Sequence, residues 1–323
     1  MTRRRRAVAL AAALLVAASS SACTTSVPES AAVDVDLPED FALAADFADP
    51  DVLEVDGGWL AYATQSEDAH VQVAESRDLE SWTLLERDAF PDLPGWVREG
   101  DTWAPEVSAW AGRFLLFHSS TDDRSGVQCI GVAAATDPLG PFAEVTDRPL
   151  ICPEDGAIDA SFFVDDDGSP YLLWKEDSNC CGGTSRIWLS GLDGSGTALL
   201  GDPVLLLGTS RLWEGDVVEA PTLVRRADGY ALLYSGGDYS TLDYGIGWAR
   251  SPELRGPYVA AEDPLLDTDS SDFAYIGPGG QDVVGDTIVF HSWDASHSFR
   301  GLHVRPLTWE DASPVIALSR EPD

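Results

Sequence analysis

The stretch Ala48-Asp49-Pro50-Asp51-Val52 is followed by Gly57-Gly58-Trp59-Leu60-Ala61-Tyr62. It reads as a strand, a glycine turn and an aromatic return strand. The same pattern comes back four times. Trp103-Ala104-Pro105-Glu106-Val107 precedes Gly112-Arg113-Phe114-Leu115-Leu116-Phe117, and Asp159-Ala160-Ser161-Phe162-Phe163 precedes Gly168-Ser169-Pro170-Tyr171-Leu172-Leu173-Trp174. Glu219-Ala220-Pro221-Thr222-Leu223 precedes Gly229-Tyr230-Ala231-Leu232-Leu233-Tyr234, and Gly277-Pro278-Gly279-Gly280-Gln281 precedes Gly285-Asp286-Thr287-Ile288-Val289-Phe290. Aligned on Pro50, Pro105, Ala160, Pro221 and Pro278, the units stand 55, 55, 61 and 57 residues apart.

A second hairpin follows in most units, as in Val71 to Trp82 and Gly245 to Pro252. About four strands per unit, repeated at this period, is the signature of a propeller blade. A β-sandwich needs no such repeat. The expectation is an all-β chain forming one five-bladed β-propeller of four-stranded antiparallel blades over residues 46–323. Beyond the N-terminus no sustained helical period is present.

The N-terminus reads as an export signal. Arg3 to Arg6 precede an apolar run, Ala7 to Ala18, and then the small residues Ser21-Ala22 and Cys23. The run is too short to span a bilayer, which needs ~20 residues. The stretch resembles a bacterial lipoprotein signal over residues 1–22, with Cys23 as the lipidated first residue. Ordinary secretory cleavage near Ala22 is the alternative. Residues 23–45, rich in Ser, Thr, Ala, Pro and acid, read as a disordered tether. The protein is expected outside the cytoplasm, at the cell surface or secreted, touching membrane only through its lipid.

The formal net charge is −35, and loss of the four arginines makes it −35 − 4 = −39. So acidic a surface argues against nucleic acid as a partner. Four cysteines follow Cys23, and an exported chain oxidises them. Cys129–Cys152 is the expected bridge, within one repeat. Cys180 and Cys181 would then form a vicinal bridge or stay free. No histidine lies near them at zinc spacing.

Among 55 acids the repeat singles out three. Asp49 and Asp159 open their units at the same register, and Glu219 lies one residue earlier in its own. Fivefold symmetry brings such positions to one end of the central channel. Like charges there raise one carboxyl and leave another ionised, which is what hydrolysis of a glycosidic bond requires. The one-residue offset of Glu219 needs a bulge to restore convergence, because successive strand residues face opposite ways.

These motifs carry a resemblance. Ala-Asp-Pro-Asp at 48–51, Ser-Arg-Asp-Leu-Glu-Ser-Trp at 76–82, Trp-Ala-Pro-Glu at 103–106, Ile-Asp-Ala-Ser-Phe-Phe at 158–163, Val-Glu-Ala-Pro at 218–221 and Phe-His-Ser-Trp at 290–293 resemble glycoside hydrolase family 43, from about Asp46 to Leu318. That family comprises arabinofuranosidases, xylosidases and arabinanases. The resemblance implies inverting hydrolysis of arabinose- or xylose-containing polysaccharide. It implies Asp49 as the base, Glu219 as the acid and Asp159 as the residue that positions and tunes the acid. It also implies Trp103 as a sugar-stacking face and Arg300 as a substrate contact. Trp213, just before Glu214 and Gly215, reads as lining the mouth, and His291 is a further candidate for substrate binding. No cofactor is required. A structural calcium in the channel is an open expectation, weakened because the stretch after Gly277-Pro278-Gly279 has Gln281 where many relatives carry histidine. A monomer is expected. Two other readings stay open: a retaining propeller hydrolase of fructosides, and a non-catalytic sugar-binding propeller, which would have no need of the three acids.

Overall fold

The computed structural model describes residues 40–318. The signal segment, Cys23 and the tether up to residue 39 lie outside the described residues. Five antiparallel sheets follow one another along the chain, each built from contiguous strands in sequence order. Blade 1 comprises β1 (Asp51–Val55), β2 (Gly58–Ala63), β3 (Gln72–Ser76) and β4 (Trp82–Leu84). Blade 2 comprises β5 (Val97–Trp110), β6 (Arg113–Asp122), β7 (Gln128–Ala135) and β8 (Ala143–Glu144). Blade 3 comprises β9 (Ala157–Val164), β10 (Pro170–Glu176), β11 (Arg186–Leu192) and β12 (Leu199–Gly208). Blade 4 comprises β13 (Val218–Arg226), β14 (Gly229–Gly236), β15 (Gly245–Ser251) and β16 (Val259–Ala260), with β17 (Leu266–Asp267) also pairing to β15. Blade 5 comprises β18 (Ile276–Val284), β19 (Thr287–Trp293), β20 (Arg300–Glu310) and β21 (Ser313–Ile316). This is the five-bladed propeller that the repeat implies.

The second strands explain the packing. A strand buried on one face alternates apolar and polar residues, but one buried on both reads as a continuous apolar run. Leu115-Leu116, Leu172-Leu173, Leu232-Leu233 and Ile288-Val289 are such runs, and all eight residues are buried. Successive side chains point to opposite faces, so each pair feeds two cores. Leu172 packs with blade 2 and Leu173 with blade 4, and Leu232 packs with blade 3 and Leu233 with blade 5. The result is five apolar clusters, one in each seam between neighbouring blades.

The last seam joins blade 5 to blade 1, and it extends the domain beyond the boundary drawn at residue 46. The Ala42 amide donates to the Leu302 carbonyl at 2.8 Å and the Leu302 amide to the Leu43 carbonyl at 3.1 Å. Residues 40–45 therefore belong to the propeller and not to the tether, because β21 covers only the far half of β20 and leaves these groups to be satisfied. The Cys129–Cys152 bridge is formed, and Cys180 and Cys181 form the vicinal pair. Among the described residues, no helix is long and apolar enough to cross a membrane.

Candidate active site

Four first strands carry the same irregularity: pairing slips between Trp103 and Glu106, between Glu219 and Thr222, between Gly279 and Asp282, and opposite Leu173 to Lys175. In blade 1, ahead of β1, the Thr64 amide donates to the Ala48 carbonyl at 3.0 Å. One residue in each blade turns into the left-handed region: Asp49 (φ 53°), Ala104 (41°), Asp159 (57°), Ala220 (45°) and Gly280 (56°). A β-bulge inserts a residue and re-aims the side chains on either side, so two successive positions reach the channel mouth. Asp49 and Asp159 are bulge residues, and Glu219 immediately precedes one. That is the physical basis of the offset seen in the sequence. The fifth unit aligns differently from the expected register on Pro278: Gly280 stands in the place of Asp49, and Gln281 in the place of Pro50. A Cβ on Gly280 would lie 2.6 Å from the His291 ring and 2.8 Å from Asp49 Oδ1. Blade 5 is bare there so that these two side chains can meet.

Asp49 is held on three sides. Its Oδ2 accepts a hydrogen bond from the Thr64 hydroxyl at 2.7 Å, its amide donates to His291 Nδ1 at 3.0 Å, and Arg300 Nη1 lies 3.7 Å from its Oδ1. His291 is fully buried. Burial, then the Arg300 charge, pushes its pKa well below the usual histidine value. Its Nδ1 is thus an unprotonated acceptor, fixed in that role by the Asp49 amide.

Glu219 is bound by two donors: Lys175 Nζ to Oε2 at 2.7 Å and the Tyr244 hydroxyl to Oε1 at 2.7 Å. Tyr244 lies flat against His291, 11° between planes, and so links the surroundings of Asp49 and Glu219. Asp159 Oδ2 accepts the Ala220 amide at 2.9 Å. Burial, with the charge of Glu219 next, pushes the Asp159 carboxyl up to about 8, against the pull of Lys175. Lys175 itself would be lowered by burial, but Glu219, Asp159 and Asp177 outweigh that and raise it. The cluster holds a proton near neutrality and keeps a permanent cation beside it.

The structure brings Asp49, Asp159, Glu219, His291 and Arg300 into this one network. Trp103 stands on β5 at the place Glu219 holds on β13, and the residue is 37 % exposed. The Arg300 guanidinium lies over Tyr239 at 5.2 Å and Trp293 at 5.7 Å. Trp213 stacks on Tyr234 at 5.9 Å and packs against the core of the seam between blades 3 and 4. Gln281 ties blade 5 to blade 4 through the Ala220 carbonyl at 2.6 Å and the Ser235 hydroxyl at 2.9 Å.

Residues 42–314 match the sequence profile of Glycosyl hydrolases family 43. The chain belongs to glycoside hydrolase family 43. As a member it is a glycosidase. It is 28 % identical over 288 residues to an extracellular endo-α-(1→5)-L-arabinanase of Bacillus subtilis, covering 82 % of this chain and 86 % of that one. It is 27 % identical over 264 residues to a xylan 1,3-β-xylosidase of a Vibrio species, covering 77 % of this chain and 47 % of the relative. The crystal structure of a thermostable family-43 glycoside hydrolase superimposes with a TM-score of 0.77 at 29 % identity, over 86 % of this chain and 96 % of that one.

Deeper in the channel of this family 43 propeller lies a second ring that sequence reasoning did not develop. Asp51, Glu106 and Asp282 are equivalent positions two residues past the bulge, and they line a cavity of about 50 Å³. Each links its blade to the next or to itself: Asp51 accepts the Val107 amide at 2.8 Å, Asp282 accepts the Val52 amide at 3.0 Å, and Glu106 accepts the Ser108 hydroxyl at 2.7 Å. Burial first, then mutual repulsion, raises Asp51 well above the carboxylate range and Glu106 to about 8. Among the described residues, no group of three or more His, Cys, Asp or Glu side chains is arranged to hold a metal ion. Lys175 and Tyr244 were also missed. Lys175 had a signal, since it is the only lysine in the sequence. Tyr244 had none.

Proposed function

We propose that the protein hydrolyses O-glycosidic bonds in arabinose- or xylose-containing polysaccharide, or its oligosaccharides, with inversion at the anomeric carbon. Asp49 draws a proton from water as it attacks, and Glu219 gives a proton to the leaving oxygen. Asp159 keeps a proton in the pair near neutrality, since two neighbouring buried carboxyls do not both ionise readily. Thr64, His291 and Arg300 fix the base, while Trp103 offers a face for a sugar ring. The observation that carries this reading is the meeting of three carboxyls at the bulges, Asp49 and Asp159 on equivalent bulge residues and Glu219 one residue before its own, each with its own polar partners. The names of the relatives, arabinanase and xylosidase, support the substrate class, and the extracellular arabinanase supports export. Anchoring through a lipid on Cys23, and action as a monomer, complete the proposal.

The test is incubation of the mature protein with arabinan, arabinoxylan and short oligosaccharides beside Glu219→Gln. The wild type is expected to release sugar with the inverted anomer first, read by proton NMR. The variant should be slower by about 10²–10⁴-fold on unactivated substrates. First formation of the retained anomer would overturn inversion. Tight binding by both proteins without release would make this a sugar-binding propeller.

A further inference from the structure

The sole lysine of the chain is buried at the site. Lys175 stands on β10 at the position that Thr64 (just past β2), Ser119, Ser235 and His291 hold in the other blades. Those four accept the amide of the next blade's bulge residue: Ala104, Asp159, Gly280 and Asp49, each at 3.0 Å. An ammonium accepts nothing. The fifth amide, that of Ala220, goes instead to Asp159. Lys175 is thus released from the seam contact that its position makes everywhere else. Its Nζ reaches Glu219 Oε2 at 2.7 Å and Asp177 Oδ1 at 2.9 Å. Burying an ammonium is unfavourable unless it is paired, and a hydroxyl would serve the seam, as in blades 1, 2 and 4.

We propose that Lys175 is the positioning residue of the acid: it holds the Glu219 carboxyl toward the leaving oxygen and stabilises the charge left there when the proton departs. This rests on the reading of Glu219 as the acid. In the step, the Glu219 O–H bond breaks and its proton joins the leaving oxygen, which takes the electron pair of the cleaved C–O bond. Glu219 gains one negative charge, and Lys175 stays protonated throughout. Asp49 receives the proton of the attacking water. An interaction that strengthens as charge develops speeds the step itself. Its effect is largest where the leaving group needs its proton most, a sugar alcohol, and smallest for 4-nitrophenolate. Asp177 competes for the same ammonium and moderates it.

The experiment compares wild type, Lys175→Met and Asp177→Asn on an oligosaccharide and on the 4-nitrophenyl glycoside of the sugar that the wild type releases. Lys175→Met should lower kcat/KM at least about tenfold on the oligosaccharide, the scale of one charge-assisted hydrogen bond, and less than about threefold on the nitrophenyl glycoside. The basic limb of its pH profile should move up, because the acid keeps its proton longer. Asp177→Asn should move that limb down. Equal losses on both substrates with an unmoved limb would reduce Lys175 to a structural residue. A second measurement needs no Lys175 variant. Wild type labelled with ¹⁵N-lysine gives a single Nζ signal, which should titrate with the basic limb and change in Glu219→Gln. A signal insensitive to both overturns the proposal. A wild type inert on every glycoside fails the proposed function instead, and this inference with it.

Discussion

His291 shows how much one side chain is asked to do. Its Nδ1 accepts the Asp49 amide, which it does only while that nitrogen is unprotonated, and its ring stacks on Tyr244. Its depressed pKa carries a stability consequence with a definite sign. Below ~6.5 the unfolded chain takes up a proton on this histidine and the folded chain does not, so stability falls as pH drops through that value. By pH 5 the loss from this residue is about 1–2 kcal/mol. His291→Gln keeps a hydrogen-bond acceptor and has no titration there. Between pH 7 and pH 5 the variant should therefore lose less thermal stability than the wild type, by a few degrees, in melting curves followed by circular dichroism. Equal losses would mean that the wild-type ring is protonated inside the fold. At pH 7 the variant should also be slower, since the ring that links Tyr244 to Asp49 is gone.

At the scale of the strand, the first strands divide two jobs between them. The bulges of blades 1, 3 and 4 bring Asp49, Asp159 and Glu219 to the mouth, and two residues past the bulge blades 1, 2 and 5 supply the channel ring of Asp51, Glu106 and Asp282. The ring responds to pH in the opposite sense to His291. Glu106, raised to about 8 by burial and by Asp282, is protonated in the fold but ionised when unfolded above ~4.3. Its contribution is fully present below the unfolded pKa and is lost as pH rises toward 8. Glu106→Gln keeps one acceptor and one donor with no charge. It should be near neutral at pH 5 and stabilising by about 1–3 kcal/mol at pH 8, measured by urea unfolding at the two values. No difference between them would mean that the ring is ionised and hydrated. The blades themselves were legible, because doubly buried second strands write unbroken apolar pairs and the turns write Asp and Gly. Asp49, Asp159 and Glu219 were legible through the repeat. The fifth register was not: Gly279 and Gly280 have no side chain with which to mark a position, and proline at 278 drew the alignment three residues off. Lys175 stayed hidden because its meaning depends on a bulge in a different strand.

Over the whole molecule, five seams of similar construction divide between stability and function. The seam of blades 5 and 1 is the one that closes the ring, and it is also where Asp49 meets His291 and Arg300. Phe47 is fully buried in that seam, two residues before Asp49, and its amide donates to the Arg300 carbonyl at 2.9 Å. Leu189, fully buried in the seam of blades 3 and 4, is on a third strand away from the bulges. Phe47→Ala and Leu189→Ala each leave a cavity, at about 3–5 and 2–5 kcal/mol. Both should lower the denaturation midpoint by comparable amounts. Only Phe47→Ala should also lower kcat well below the melting range, because slack in the closing seam reaches Asp49 and Arg300 directly. A small displacement of a reacting group is enough to slow a reaction by up to about 10²-fold. If both variants kept wild-type kcat, Asp49 would be held by its bulge alone. If both lost it equally, the propeller would be transmitting strain between seams, and the closing seam would hold no special place in the chemistry.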